Sequence, residues 1–144
     1  MTNPRVLIVD DEAGIRDSYK DFFSKRGFSV ELASDGEEAW QKLLGGGFDV
    51  ALVDIKMPRM NGVELAEKIR KDHLNVEVII LTGHGDRNEA VRALKSGAFD
   101  WFDKGAIDML ALLRSVQRAA EPIGDDELSL LFSQIPEAHF EKPE

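Results

Sequence analysis

Cysteine is missing from the chain altogether. That excludes disulfides, thiolate metal centres and a cysteine nucleophile, and is compatible with a reducing compartment. Basic residues are in deficit, with 18 Lys and Arg against 27 Asp and Glu and a net charge of −9. Such a balance disfavours nonspecific binding to nucleic acid, which rests on Lys and Arg neutralising phosphates. It equally disfavours an anionic membrane surface. Long apolar runs are absent too. The run in "MTNPRVLIVDD" is too short for a signal-peptide core, and none approaches the ~18 residues of a membrane span. The expectation is a soluble, cytoplasmic protein. No internal repeat is visible.

What is present fits one folded domain. The 144 residues are 43% hydrophobic and 31% charged, enough for a single buried core. Four short, β-branched runs bounded by polar residues read as buried strands: Val6–Val9, Asp49–Val53, Val76–Leu81 and Ala98–Phe102. A fifth, Phe28–Leu32, alternates more and is expected at an edge. Helical spacings lie between them. Ile15, Tyr19, Phe22 and Phe23 fall on one stripe, with Gly27 as the stop. Ser34 and Glu37 have capping-box spacing ahead of Ala39, Trp40, Leu43 and Leu44, and Gly45–Gly47 end that helix as a turn. Asn61 and Glu64 open a third helix with Leu65, Ala66 and Ile69 inward. A fourth runs from about Asp86 to Lys95 with Ala90, Val91 and Leu94 inward. The fifth carries Met109, Leu112, Leu113, Val116 and Ala120. Strand and helix alternate five times across short connections. This predicts an α/β fold with a doubly wound five-stranded parallel sheet in the flavodoxin-like order 2-1-3-4-5 and five flanking helices.

After Glu121-Pro122 the character changes. Residues 1–121 read as the domain, and 122–144 as a tail or the cut end of a linker, with truncation favoured. Leu128, Leu131, Phe132 and Ile135 have helical spacing within 125–135, a length marginal for a helix on its own. The remaining residues read as disordered.

Chemistry concentrates at one edge of the expected sheet. "VLIVDDE", residues 6–12, ends a core strand in crowded acid, and two carboxylates about 4 Å apart repel by roughly 4 kcal/mol near a protein surface. In a parallel sheet every strand C-terminus lies at the same edge, where ligands bind. Asp10 and Asp11, Asp54, Thr82 and Lys104 are therefore expected in one crevice. Three carboxylates and an ammonium suit Mg²⁺, an ion of oxygen ligands often shared with a phosphate. Phosphoryl transfer needs chiefly such electrostatic positioning, and Asp54, central between metal and Lys104, is the best-placed nucleophile. Glu12 drops out as a helix-start residue.

Each residue taken alone has a plainer explanation. Asp10–Glu12 suit a helix start, Asp54 a turn, Thr82 a strand end, and Lys104 a solvated charge. Only their joint placement favours a site. His84 reads as an exposed loop residue, and His73 and His139 carry no argument. Arg87, Arg92, Lys95, Arg114 and Arg118 read as a solvated face.

"VLIVDDE", "ALVDIKMPRMNG", "VIILTGHGD" and "GAFDWFDK" resemble, in order and spacing, the receiver domain of two-component response regulators, over roughly residues 4–120. The wording is most similar to receivers before sigma-54 activator or LuxR-type outputs. The resemblance implies a phosphorylation-dependent signalling switch, not a turnover enzyme, with Asp54 phosphorylated by a histidine kinase or phosphotransfer protein. It implies Mg²⁺ held by Asp11, Asp54 and the Lys56 carbonyl, with Asp10 acting through water. Lys104 and the Thr82 hydroxyl would contact the phosphoryl oxygens, and Pro58 and Gly62 would shape the loop after strand 3. Thr82 and the switch aromatic Trp101 would carry the signal to the face of helix 4, strand 5 and helix 5, which then controls an output or a homodimer.

Three departures stand out. Gly105 replaces the proline usual after the site lysine, which predicts a trans or more mobile bond and a less firmly placed Lys104. Trp101 replaces a smaller aromatic, which predicts a single rotamer. Lys56 and His84 flank the path of water to an acyl phosphate and are expected to tune its lifetime. Two other functions compete. One is a receiver-like scaffold that does not cycle. The other is an aspartyl-phosphate phosphatase of the haloacid dehalogenase type, whose Asp-x-Asp after strand 1 is absent here. A flavin-binding flavodoxin is disfavoured, since carboxylates stand where a phosphate-cradling loop is needed.

Overall fold

The computed structural model describes residues 3–83 and 87–121. The strands are β1 (Arg5–Val9), β2 (Ser29–Ala33), β3 (Val50–Asp54), β4 (Glu77–Thr82) and β5 (Asp100–Asp103). They alternate with α1 (Ala13–Ser24), α2 (Gly36–Leu44), α3 (Gly62–Lys71), α4 (Arg87–Lys95) and α5 (Met109–Ala120). All pairings are parallel and the order is β2-β1-β3-β4-β5, as the alternation predicts. The expected helix over 125–135 and His84 lie outside the described residues.

Side chains alternate across a strand, so an unbroken apolar run must be covered on both faces. Leu7, Val9, Ala51, Val53, Val78 and Ile80 pack under α2, α3 and α4. Val6, Ile8, Val50, Leu52, Ile79 and Leu81 pack under α1 and α5 with the fully buried Phe23 and Leu112. Burying such a side chain stabilises the fold by about 1.5–3 kcal/mol. β2 is an edge strand, as its alternation implied.

Several local expectations are corrected. β3, β4 and β5 end one residue later than their apolar runs, because Asp54, Thr82 and Asp103 stay in the ladder. β5 is a second edge, half exposed rather than buried. The α2 cap is Asp35, not Ser34: the Asp35 carboxylate accepts the Glu38 N–H at 2.7 Å, while Glu38 Oε1 accepts the Ser34 N–H at 2.7 Å. A carboxylate caps at least as well as a hydroxyl, and here it displaces the box by one residue. The Asn61–Glu64 capping box forms as expected. In α4 the inward residues are Ala90 and Ala93, whereas Val91 is exposed and Leu94 half-buried. The α5 stripe turns slightly, burying Ser115 and Ala119 and leaving Met109, Leu113 and Ala120 half-buried. Ser115 is compatible with burial because its hydroxyl donates to Asp100 Oδ2 at 2.7 Å.

Candidate functional site

Strand register assembles the site. Val9 pairs with Val53, so Asp10 and Asp54 leave the sheet side by side. Asp54 in turn pairs with Leu81, and Thr82 with Asp103, which brings Lys104 to the same edge. Its ammonium donates to Asp10 Oδ2 at 2.9 Å and lies 3.4 Å from Asp54 Oδ2. Asp10, Asp54 and Thr82 are buried, and Asp11 is exposed.

Asp10 is held from three directions, two through its backbone and one through its side chain. Its N–H donates to the Ala33 carbonyl at 3.1 Å, its own carbonyl accepts Arg16 Nη1 at 2.7 Å, and its Oδ1 accepts the Glu12 N–H at 2.9 Å. Asp10, Asp11 and Glu12 each offer a carboxylate oxygen within 4.8 Å of the others. Glu12, set aside on sequence, therefore rejoins the cluster. It stands at the N-cap of α1, but its side chain makes no capping hydrogen bond.

Burial pushes the Asp54 carboxyl up to about 6, and the Asp10 and Asp11 charges add to this against the opposing pull of Lys104. For Lys104, burial works to lower the value. The Asp10 hydrogen bond and the two acidic charges outweigh it, so the pKa rises. The two directions agree physically: the lysine has two acids to itself, while each acid must share one lysine. Negative charge is in excess, and the oxygen donors are those a hard divalent cation takes.

The loop after β3 is shaped by close approach. A Cβ on Gly62 would lie 2.5 Å from the Asp54 carbonyl oxygen, so only glycine lets α3 start there. The Pro58 carbonyl accepts the Met60 N–H at 2.9 Å. Lys56 is exposed. The Thr82 hydroxyl donates to the Phe102 carbonyl at 3.3 Å, and Trp101 is 37% exposed at the edge strand.

The Lys104–Gly105 bond is trans, as the missing proline predicts. The expected looseness is replaced by a specific support. Asp103 Oδ1 accepts the Gly105 N–H at 2.8 Å and caps a short 3₁₀ turn over Lys104–Ala106. A proline at 105 would have no N–H to offer.

Two neighbours escaped sequence reading. Arg16 and Tyr19 lie four and seven residues after Glu12, a spacing that sets all three on one helical face, whereas on sequence Tyr19 counts only in an apolar stripe. Burial raises the Tyr19 pKa; the Lys104 charge opposes this, and the Asp10 and Asp54 charges reinforce it.

The sequence model of the response regulator receiver domain matches residues 6–117. The transcriptional regulatory protein FixJ of Bradyrhizobium diazoefficiens is 34% identical over 128 residues, covering 88% of this chain and 62% of FixJ. The chain thus spans about three-fifths of that relative's length. A response regulator receiver domain protein from Clostridium thermocellum superposes with a TM-score of 0.77 at 31% identity, covering 89% of this chain and 98% of that one. TrrA from Thermotoga maritima, solved in complex with Mg²⁺ and BeF, gives a TM-score of 0.72 at 30% identity, covering 81% and 98%. On its sequence, its strand order and the acids and lysine gathered at one sheet edge, the chain belongs to the response regulator receiver domain family.

Proposed function

We propose that this receiver is a phosphorylation-operated switch in which Asp54 is the phosphoacceptor. The carrying observation is the Lys104 ammonium between Asp10 and Asp54, a cation held where transferred phosphoryl oxygens would arrive. Asp54 attacks the phosphorus of a phosphohistidine on a kinase or phosphotransfer protein. A P–O bond forms, the P–N bond breaks, and the imidazole leaves with the electron pair. The product is an acyl phosphate. Lys104 then pairs with a phosphoryl oxygen, and the Thr82 hydroxyl, which in this structure donates to the Phe102 carbonyl, is assigned another.

Asp11, Asp54 and the Lys56 carbonyl, with Asp10 through water, would hold Mg²⁺. When bound, the ion supplies positive charge for the crowded acids and the incoming phosphoryl group. The excess negative charge at the cluster and the Mg²⁺–BeF complex of TrrA support this reading. Lys56 stands two residues after the phosphoacceptor, where its side chain tunes acyl-phosphate lifetime; His84 is assigned the same role.

Redirecting Thr82 changes its bond to β5 and so carries the signal to the α4–β5–α5 face. Val91, Trp101 and Leu110 are exposed there, an apolar set suited to an output domain, a protein partner or a second copy. Trp101 stays in one rotamer as the face changes.

The test is incubation with Mg²⁺ and acetyl phosphate followed by intact-mass measurement. One phosphoryl adduct, absent from Asp54→Ala, is expected. Absence of any adduct supports the non-cycling scaffold instead, and sustained turnover of phosphate esters the phosphatase.

A further inference from the structure

We infer that the connection between β2 and α2 is a strut that sets the separation of the two acid-bearing arms of the site, with Asp35 and Arg59 as its positioning residues. This rests on the reading that the crevice holds Mg²⁺. At one end of the strut the Ala33 carbonyl accepts the Asp10 N–H at 3.1 Å, fixing the arm that carries Asp10 and Asp11. At the other end Asp35 Oδ2 takes Arg59 Nη2 at 3.0 Å and Arg59 Nε at 3.1 Å, fixing the loop that follows Asp54 and carries the Lys56 carbonyl. A single residue, Ser34, separates these anchors in sequence.

Two further observations show that the contact is tight. A Cβ on Gly36 would overlap the Met60 carbonyl oxygen, so the start of α2 rests directly on that loop. Arg59 holds φ +70°, a left-handed conformation disfavoured for a residue with a side chain. Such strain persists only where surrounding contacts hold it. Here two contacts bracket it: the Met60 N–H to Pro58 carbonyl bond that closes the turn around Arg59, and the ion pair to Asp35, whose side chain is only 8% exposed and also caps α2. The strut therefore spends its ion pair on the shape of the loop beside Asp54.

Mg²⁺ titration by calorimetry on the whole chain, without phosphodonor, tests this. Removing the Arg59 cation by itself favours a nearby bound cation through Coulomb's law. The strut requires the opposite sign. In Arg59→Ala the left-handed residue loses its restraint, the loop relaxes, and the Mg²⁺ Kd rises about fivefold, roughly what one lost hydrogen-bonded contact changes. Arg59→Gly removes the same charge but tolerates φ +70°, so its Kd returns to within about twofold of wild type. Gly36→Ala changes no charge and weakens binding in the same direction as Arg59→Ala. Unfolding midpoints taken alongside show that each variant is folded at the titration temperature. Wild-type binding with Arg59→Ala and Gly36→Ala unchanged or tighter would overturn the strut alone. A wild-type chain that does not bind Mg²⁺ would overturn both the strut and the metal reading beneath it.

Discussion

Asp54 is asked to be a buried anion next to two others, and its proton affinity records the strain. Its pKa stands at about 6 against 3.8 for a free aspartate, through burial first and the Asp10 charge second. The sign follows from linkage. A carboxyl with a raised native pKa binds its proton more tightly folded than unfolded, so stability falls as pH rises from about 4 through 6. Lys104 does not disturb this window, because a raised lysine pKa stabilises at every pH below its unfolded value. Metal-free protein is therefore expected to lose stability between pH 5 and pH 7.5 relative to Asp54→Asn, with the variant the more stable at pH 7.5 in denaturant titrations. Mg²⁺ at pH 7.5 should narrow that gap. A metal-free Asp54→Asn less stable than wild type at pH 7.5 would contradict the electrostatic picture. The residues gathered at the carboxyl edge were legible because each ends or follows an apolar run: Asp10, Asp54, Thr82 and Lys104 all follow from strand ends. Arg16, Asp35 and Arg59 were not, since they act through backbone groups and an ion pair across 24 residues that no local pattern announces.

Among the elements, the short turn after β5 matters most to the chemistry. Lys104 opens it, Asp103 caps it through the Gly105 N–H, and the capping carboxylate stands in the ladder opposite Thr82. Losing a side-chain cap costs about 1 kcal/mol, equivalent to roughly fivefold in a rate that depends on the capped geometry. Asp103→Ala should slow phosphorylation by acetyl phosphate by about that factor. Asp103→Asn, which keeps an acceptor oxygen, should restore most of the rate, and Gly105→Ala should leave it unchanged, since the added Cβ meets Asp103 Oδ1 at an ordinary 3.4 Å. Equal rates in Asp103→Ala and wild type would show that Lys104 needs no such support. The type of each described strand and α-helix was readable, whereas the 3₁₀ turn was not, strand bounds slipped by one or two residues, and the α2 cap moved by one where Ser34 and Asp35 competed. Val91 was misassigned for a different reason. Apolar character alone does not separate a core stripe from an exposed patch, and α4 packs through alanines instead.

At the scale of the whole molecule, a sheet covered on both faces leaves only its edges free for function. The carboxyl edge gathers the acids, while α4, β5 and α5 each leave a large apolar residue exposed: Val91, Trp101 and Leu110. Alternation predicted a doubly wound parallel sheet, and of the two common orders for such sheets five strands suit 2-1-3-4-5, the order observed. What the exposed face meets did not follow, since a partner's surface is not encoded in this chain's periodicity. The central claim is that Asp54, and no other acid in the crowded edge, receives the phosphoryl group. Borohydride trapping after reaction with Mg²⁺ and acetyl phosphate, followed by peptide mapping, measures this directly, because reduction converts a phosphorylated aspartate to homoserine. The account predicts homoserine at position 54 and unmodified Asp10 and Asp11. Homoserine at 10 or 11, or none anywhere in a chain that binds Mg²⁺, would contradict it.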